Sequence, residues 1–234
     1  MFLIKICDMV IGIENLYEKT ENFCRDYIVT DATPELTVTS TPEDIKKELA
    51  QYPEHSPQYH ELIVLFRKLA EALLPYGIFF LHSAVVELNG SGYIFTGKSG
   101  AGKSTHAGLW EEYIPGATII NGDKPFIKKE ADGFFAYGNP WAGKEGKNAD
   151  KRAKISAVCF IKQGTENIIS ELNSAFIISK IFDQVSYPKT RENTEILLNL
   201  LDSFLSAIPF FELECDISED AVKVAYEKMV KEAH

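Results

Sequence analysis

The stretch that most narrows what this chain can fold into is a strand, a glycine-rich loop and a helix in immediate succession. Tyr93-Ile94-Phe95-Thr96 is a short apolar run, Gly97-Lys98-Ser99-Gly100-Ala101-Gly102-Lys103-Ser104 follows at once, and Thr105 to Tyr113 has helical character. The eight loop residues satisfy the G-x-x-x-x-G-K-[ST] spacing of a phosphate-binding loop. Glycines let the backbone curl so that successive N–H groups converge, and the following helix adds its positive N-terminal end. Gly97, Lys98, Ser99, Gly100, Ala101, Gly102, Lys103, Ser104 and Thr105 are therefore the expected nucleotide contacts. Lys103 is expected to reach the outer phosphates as a point charge, and Ser104 to offer a hydroxyl oxygen to a phosphate-bound Mg²⁺.

Charge distribution agrees with an anionic ligand in the middle of the chain. The 234 residues carry a net charge of −10, which argues against nucleic acid or an anionic membrane as the general partner. From Gly97 to Lys154 there are 10 basic and 7 acidic residues, against 14 and 27 elsewhere. Cys7, Cys24, Cys159 and Cys215 are scattered without a C-x-x-C. Cys159 and Cys215 sit in apolar runs and read as buried thiols rather than redox or metal groups. No apolar run has the length of a membrane span, and the start, Met1 to Asp8, has charge inside it and no basic leader, so it reads as a strand and the protein as cytoplasmic.

Taken in order, residues 2 to 13 alternate as one strand, Leu16 to Cys24 suit a short helix, and Glu35 to Thr39 suit a second strand. Thr41-Pro42-Glu43-Asp44 and Ser56-Pro57 are helix starts, the second opening an apolar-periodic stretch from Tyr59 to Leu74. No chemical motif appears before Pro75-Tyr76-Gly77. Residues 1–76 are thus expected to be a small α+β portion devoted to packing or partner recognition, and 77–234 the main domain.

Beyond Ile78 the texture turns to strands. Asn89-Gly90 is a two-residue hairpin signal directly before the strand that enters the loop, so that strand gains an antiparallel partner and the sheet is mixed. Ala117 to Ile120 reads as a buried strand, and Ala131-Asp132-Gly133 as a second hairpin turn. Gly138 to Gly146 is an irregular loop with three glycines, in which Trp141 serves as an apolar anchor and Lys144, between glycines, can approach a phosphate or substrate. Lys147, Lys151, Arg152 and Lys154 extend its positive charge. Strands at Ile155 to Ile161, Ile168-Ile169 and Phe210 to Cys215, helices at Ser174 to Val185 and Arg191 to Ala207, and a capped helix from Ser218 complete the chain. The apolar spacing of Ile196, Leu197, Leu200, Leu201, Phe204 and Leu205 marks core or a subunit interface, the latter implying a homo-oligomer.

Asp123 closes an apolar strand about twenty residues after Ser104, where a nucleotide site places an acid for Mg²⁺. Ser104 and Asp123 are the expected metal ligands. His82 follows an apolar run and reads equally as a packed or a functional histidine; His106 reads as a surface or interface residue.

Leu81-His82-Ser83-Ala84, the Asn89-Gly90 hairpin, the Gly97–Ser104 loop and Ile119-Ile120-Asn121-Gly122-Asp123 together resemble HPr kinase/phosphorylase and its smaller relatives, whose nucleotide fold is shared with phosphoenolpyruvate carboxykinases. The resemblance covers roughly residues 78 to 170 and leaves the first 75 outside. It implies an α/β fold with a mixed, partly antiparallel sheet and a P-loop, and an ATP-dependent transfer of phosphate to a hydroxyl of a peptide, protein or small molecule. It further implies a histidine before the loop, matched by His82, and two adjacent acids after it. Asp123 matches the second acid, and Gly122 stands where the first is expected. With one carboxylate missing, either His82, Glu145 or Asp150 substitutes as base, or the acceptor needs little help, or the protein binds nucleotide without turning it over quickly. Lys103, Asp123, His82 and Lys144 form the expected catalytic set. A nucleotide-binding regulatory module that recognises a partner is the alternative, with Gly122 marking lost catalysis. A carboxykinase activity is a distant third, since the chain is far too short for that family.

Overall fold

The alternating run at the start of the chain is two strands rather than one. In the computed structural model, which describes residues 1–231, β1 (Phe2–Ile6) and β2 (Met9–Glu14) form a hairpin. Cys7 and Asp8 turn it with φ of 56° and 61°, both in the left-handed region. The inward positions change phase across this turn, from Phe2, Ile4 and Ile6 to Met9, Ile11 and Ile13, and the apolar Cys7 and Val10 blur that shift in the sequence. Its side chains are not the usual Asn-Gly. Distant residues hold it instead, with Lys128 donating to the Cys7 carbonyl at 2.8 Å and the Tyr137 hydroxyl donating to Asp8 at 2.6 Å.

The remainder of the N-terminal layer follows helix-capping chemistry. α1 (Glu18–Phe23) leads to β3 (Ile28–Val29), and β4 (Leu36–Thr39) runs parallel to β2, giving the order β3-β1-β2-β4. α2 (Pro42–Gln51) opens with a complete capping box between Thr41 and Asp44, and α3 (Pro57–Ala72) opens on the Ser56 hydroxyl. The inward faces of β1 and β2 share one apolar core with Leu65 and Leu69 of α3 and with Phe126, Tyr137 and Trp141 from beyond residue 77.

That later part is built on a nine-stranded mixed sheet. In chain order its elements are β5 (Ile78–Phe80), β6 (Ser83–Leu88), β7 (Ser91–Thr96), α4 (Lys103–Tyr113), β8 (Thr118–Asn121), β9 (Phe126–Glu130), β10 (Gly133–Tyr137), β11 (Arg152–Gln163), β12 (Ile168–Glu171), α5 (Ser174–Ile181), α6 (Arg191–Ala207), β13 (Phe210–Cys215) and α7 (Glu219–Tyr226). The last residues of the expected main domain, 232–234, lie outside the described residues. The main path runs β5-β9-β10-β11-β7-β6-β8, with β13 on β11 and β12 on β13. As the Asn89-Gly90 signal requires, β6 and β7 are antiparallel, while β7 and β13 both run parallel to β11. The fold is therefore mixed α/β.

One consequence positions the site. β7 and β8 are each antiparallel to β6, so they point the same way and release their chains at the same edge of the sheet, where β6 begins. Apolar residues of α6, including Leu197, Leu201 and Phe204, fill the core on one side, and Trp110 of α4 lies in a second core on Tyr93 and Phe95. Among the described residues, no helix is long and apolar enough to cross a membrane.

Candidate nucleotide site

The loop leaves β7 in a conformation only glycine adopts easily. Gly97 has φ of 141°, and a Cβ there would lie 2.9 Å from the Ile161 carbonyl of β11; Gly100 and Gly102 also have positive φ, 79° and 101°. The first helical bond of α4 runs from His106 N–H to Gly102 at 2.8 Å. The amides of residues 103 to 105 therefore precede the helical ladder and carry the positive end of the helix dipole. The Lys103 ammonium curls back into the loop and donates to the carbonyls of Gly97 at 3.0 Å and Lys98 at 3.2 Å. Burial pulls its pKa below the ordinary lysine range, opposed by the charge of Asp123 and assisted by that of Lys124.

The end of β8 is tied to this loop and to the start of β6. The Ser104 hydroxyl donates to the Gly122 carbonyl at 3.1 Å. Buried Asn121 accepts from the amides of Asp123 and Lys124 at 3.0 and 2.7 Å and donates to the Asn139 carbonyl at 3.1 Å. These bonds fix the turn that presents Asp123. Its Oδ1 lies 3.1 Å from His82 Nε2, and its Oδ2 pairs with the Lys124 ammonium. Burial works to raise the Asp123 pKa, but the bonds from His82 and Lys124 outweigh it and hold the carboxyl at about 2. At neutral pH Asp123 is a carboxylate and a weak base. Gly143, with φ of 74°, packs directly on it: a Cβ there would fall 2.8 Å from Asp123 Cβ.

The glycine loop after β10 is pinned as its composition suggests. The Trp141 indole is buried and donates to the Leu62 carbonyl of α3 at 2.9 Å, with Phe23 and Phe66 at ring distances of 5.8 and 5.7 Å. Lys144 stands exposed on the rim of the cleft with Glu145 beside it. Asp150 does not line the cleft; it lies near Tyr27. The basic run beyond is mostly neutralised rather than free: Lys147 pairs with Glu111, Arg152 with Glu130 and Asp8, and Lys154 with Asp132.

Together these groups border a cleft of about 630 Å³ that brings together Ser99, Gly100, Gly102, Lys103, Ser104 and Thr105 of the loop region with His82, Asp123 and Lys144. A second cavity of about 350 Å³ adjoins it, and Gly102, Thr105 and Gln163 border both. Leu109, Ile161 and Ile217 give it an apolar lining, and His106 faces it. The surface role expected for His106 is corrected: it is 2% exposed, Nε2 accepts the Trp110 indole N–H at 3.1 Å, and burial pulls its pKa to about 4. Helical spacing places it on the sheet-facing side of α4 together with Ala107 and Trp110.

No family model matches the chain, and no curated protein matches it. Among solved structures it is similar to the HPr(Ser) kinase/phosphatase from Coxiella burnetii, with 10% identity and a TM-score of 0.30 over 53% of this chain and 93% of that one. At a TM-score of 0.30 that overlay is no guide to the roles of individual residues.

Sequence reading missed the far wall of the cleft. Phe23, Tyr59, Leu62 and Ile63 all come from the N-terminal layer, which showed no motif of its own. Tyr59, 44% exposed on a helix whose other apolar residues are mostly buried, and Phe23, 37% exposed as the one apolar residue of α1, are marked by that exposure.

Proposed function

We propose that the chain is an ATP-dependent, HPr kinase-like phosphotransferase that moves the γ-phosphate to a hydroxyl. The observation that carries this reading is the convergence, on one edge of the sheet, of the loop and first turn of α4 with the His82–Asp123 pair. Positioning and charge neutralisation are the main demands of phosphoryl transfer. The amides of residues 103 to 105 supply donors, and Lys103 exchanges the carbonyls of Gly97 and Lys98 for phosphate oxygens. Glycine at 143 lets the loop carrying Lys144 lie against the carboxylate.

The same geometry accounts for Gly122. With one carboxylate at about pKa 2, the base is His82, whose Nε2–H points to Asp123 while Nδ1 receives the acceptor proton. The acceptor oxygen bonds to the γ-phosphorus, the bond to the bridging oxygen breaks, ADP leaves, and the proton passes to His82. The nucleotide's reacting end faces His82 and Asp123, so its base leaves across Gly102 and Thr105 toward the second cavity.

Among the described residues, no three His, Cys, Asp or Glu side chains form a metal cluster, so Mg²⁺ fits here only with phosphate or water oxygens as most of its ligands. Ser104 and Asp123 would hold it, with Asp123 releasing Lys124. Bound there, Mg²⁺ would neutralise phosphate charge. A nucleotide-binding regulatory module is the second reading, favoured by the single carboxylate that Gly122 leaves. Labelled ATP with Mg²⁺ and a panel of hydroxyl acceptors separates the two: transfer abolished by Lys103→Ala supports the phosphotransferase, whereas tight ATP binding without transfer to any acceptor supports the module.

A further inference from the structure

The apolar wall of the cleft has no part in handling phosphate, and it is rigid. Phe23 ends α1, while Tyr59, Leu62 and Ile63 lie along one side of α3. Glu61, fully buried on the same helix, accepts bonds from the Leu16 and Tyr17 amides and from the Thr20 and Ser40 hydroxyls. That one carboxylate fastens α1 and the end of β4 to α3, and Phe23 is further braced edge-on against Trp141. Exposed aromatics held this firmly, opposite reacting groups, form a recognition surface rather than scattered surface apolarity.

The wall lies on the acceptor side. His82 and Asp123 mark the reacting end of the phosphate chain and share the cleft with Tyr59 and Phe23, while the second cavity adjoining the cleft has room for the base. The aromatic surface also continues outward past the cleft. The His55 ring, outside the cleft lining, lies 4.7 Å from Tyr59. A stripe that outruns the cavity suits an extended chain better than a small alcohol.

Resting on the phosphotransferase reading, we infer that the N-terminal layer selects the acceptor: a peptide segment whose serine or threonine is flanked by a large apolar side chain that seats on Phe23 and Tyr59. Two synthetic heptapeptides test this, one with serine between phenylalanines and one with serine between glycines. Calorimetric titration in the presence of Mg–ADP is expected to show the first binding at least tenfold more tightly. In Tyr59→Asp and Phe23→Asp the gap is expected to shrink below threefold, with ATP affinity altered less than twofold. Tyr59→Ser repeats the measurement if the charged variants do not fold. Equal binding of the two peptides, a gap that survives in the variants, or ATP affinity that falls together with peptide affinity would each overturn the inference, the last by placing the base on this wall. Label transfer from ATP to the bound peptide is read separately. Preference without transfer would retire the phosphotransferase reading and leave the recognition surface standing.

Discussion

Replacing Asp123 by asparagine tests the electrostatics of the site with a number attached. The carboxyl is held at about 2 against an ordinary 3.8, a factor of roughly 60 in proton affinity and about 2 kcal/mol of stability at neutral pH. Only 20% of the side chain is exposed, so solvent screening removes little of that figure. The sign follows from linkage. A carboxyl with a depressed folded pKa contributes fully above its unfolded value and loses the contribution as pH falls through the folded one. Urea unfolding of wild type and Asp123→Asn is therefore expected to differ by about 2 kcal/mol from pH 7 to pH 5. The gap should narrow to about 1 kcal/mol at pH 3 and nearly vanish by pH 2. Asparagine keeps the size of the side chain, so packing changes little. An Asn variant as stable as wild type at pH 7, or a difference that stays constant from pH 6 to pH 3, would refute the claim that His82 and Lys124 outweigh burial.

Gly122→Asp has room for its Cβ, whose nearest neighbours would be the Ala142 and Lys147 carbonyls at 3.4 and 3.5 Å and Lys147 Cβ at 3.8 Å, all ordinary contacts. If His82 already serves as base, turnover should change less than threefold; a rise of about a hundredfold, within the range of general acid–base catalysis, would show that the missing carboxylate limits the reaction. Glu61→Gln sets an amide against four donors in a buried site and should cost about 2–3 kcal/mol in chemical denaturation. Because it loosens the wall, the same variant should weaken binding of the phenylalanine-flanked peptide more than binding of ATP. Lys103→Ala should leave the melting temperature unchanged or raised, because a half-desolvated amine is removed, while ATP binding falls at least tenfold.

What could be read from the sequence was local. Glycines at 97, 100 and 102 have positive φ, the Asn89-Gly90 turn joins two antiparallel strands and Thr41 with Asp44 caps α2, and each of these acts within a few residues. What escaped depends on contacts across long stretches of chain. The Cys7–Asp8 turn is held by Lys128 and Tyr137, more than a hundred residues away. The apolar wall exists because α3 lies over a loop eighty residues later. The basic run after Lys144 looked like a field for anions, and its carboxylate partners on other strands and helices could not be seen along the chain.

The Trp141 indole joined to the Leu62 carbonyl also has a mechanical meaning. Two residues further on, the backbone at Gly143 lies so close to Asp123 that an added Cβ would fall 2.8 Å from the aspartate Cβ. The loop that walls in the carboxylate is therefore anchored on α3, and a shift of that helix toward the sheet would press the loop onto Asp123.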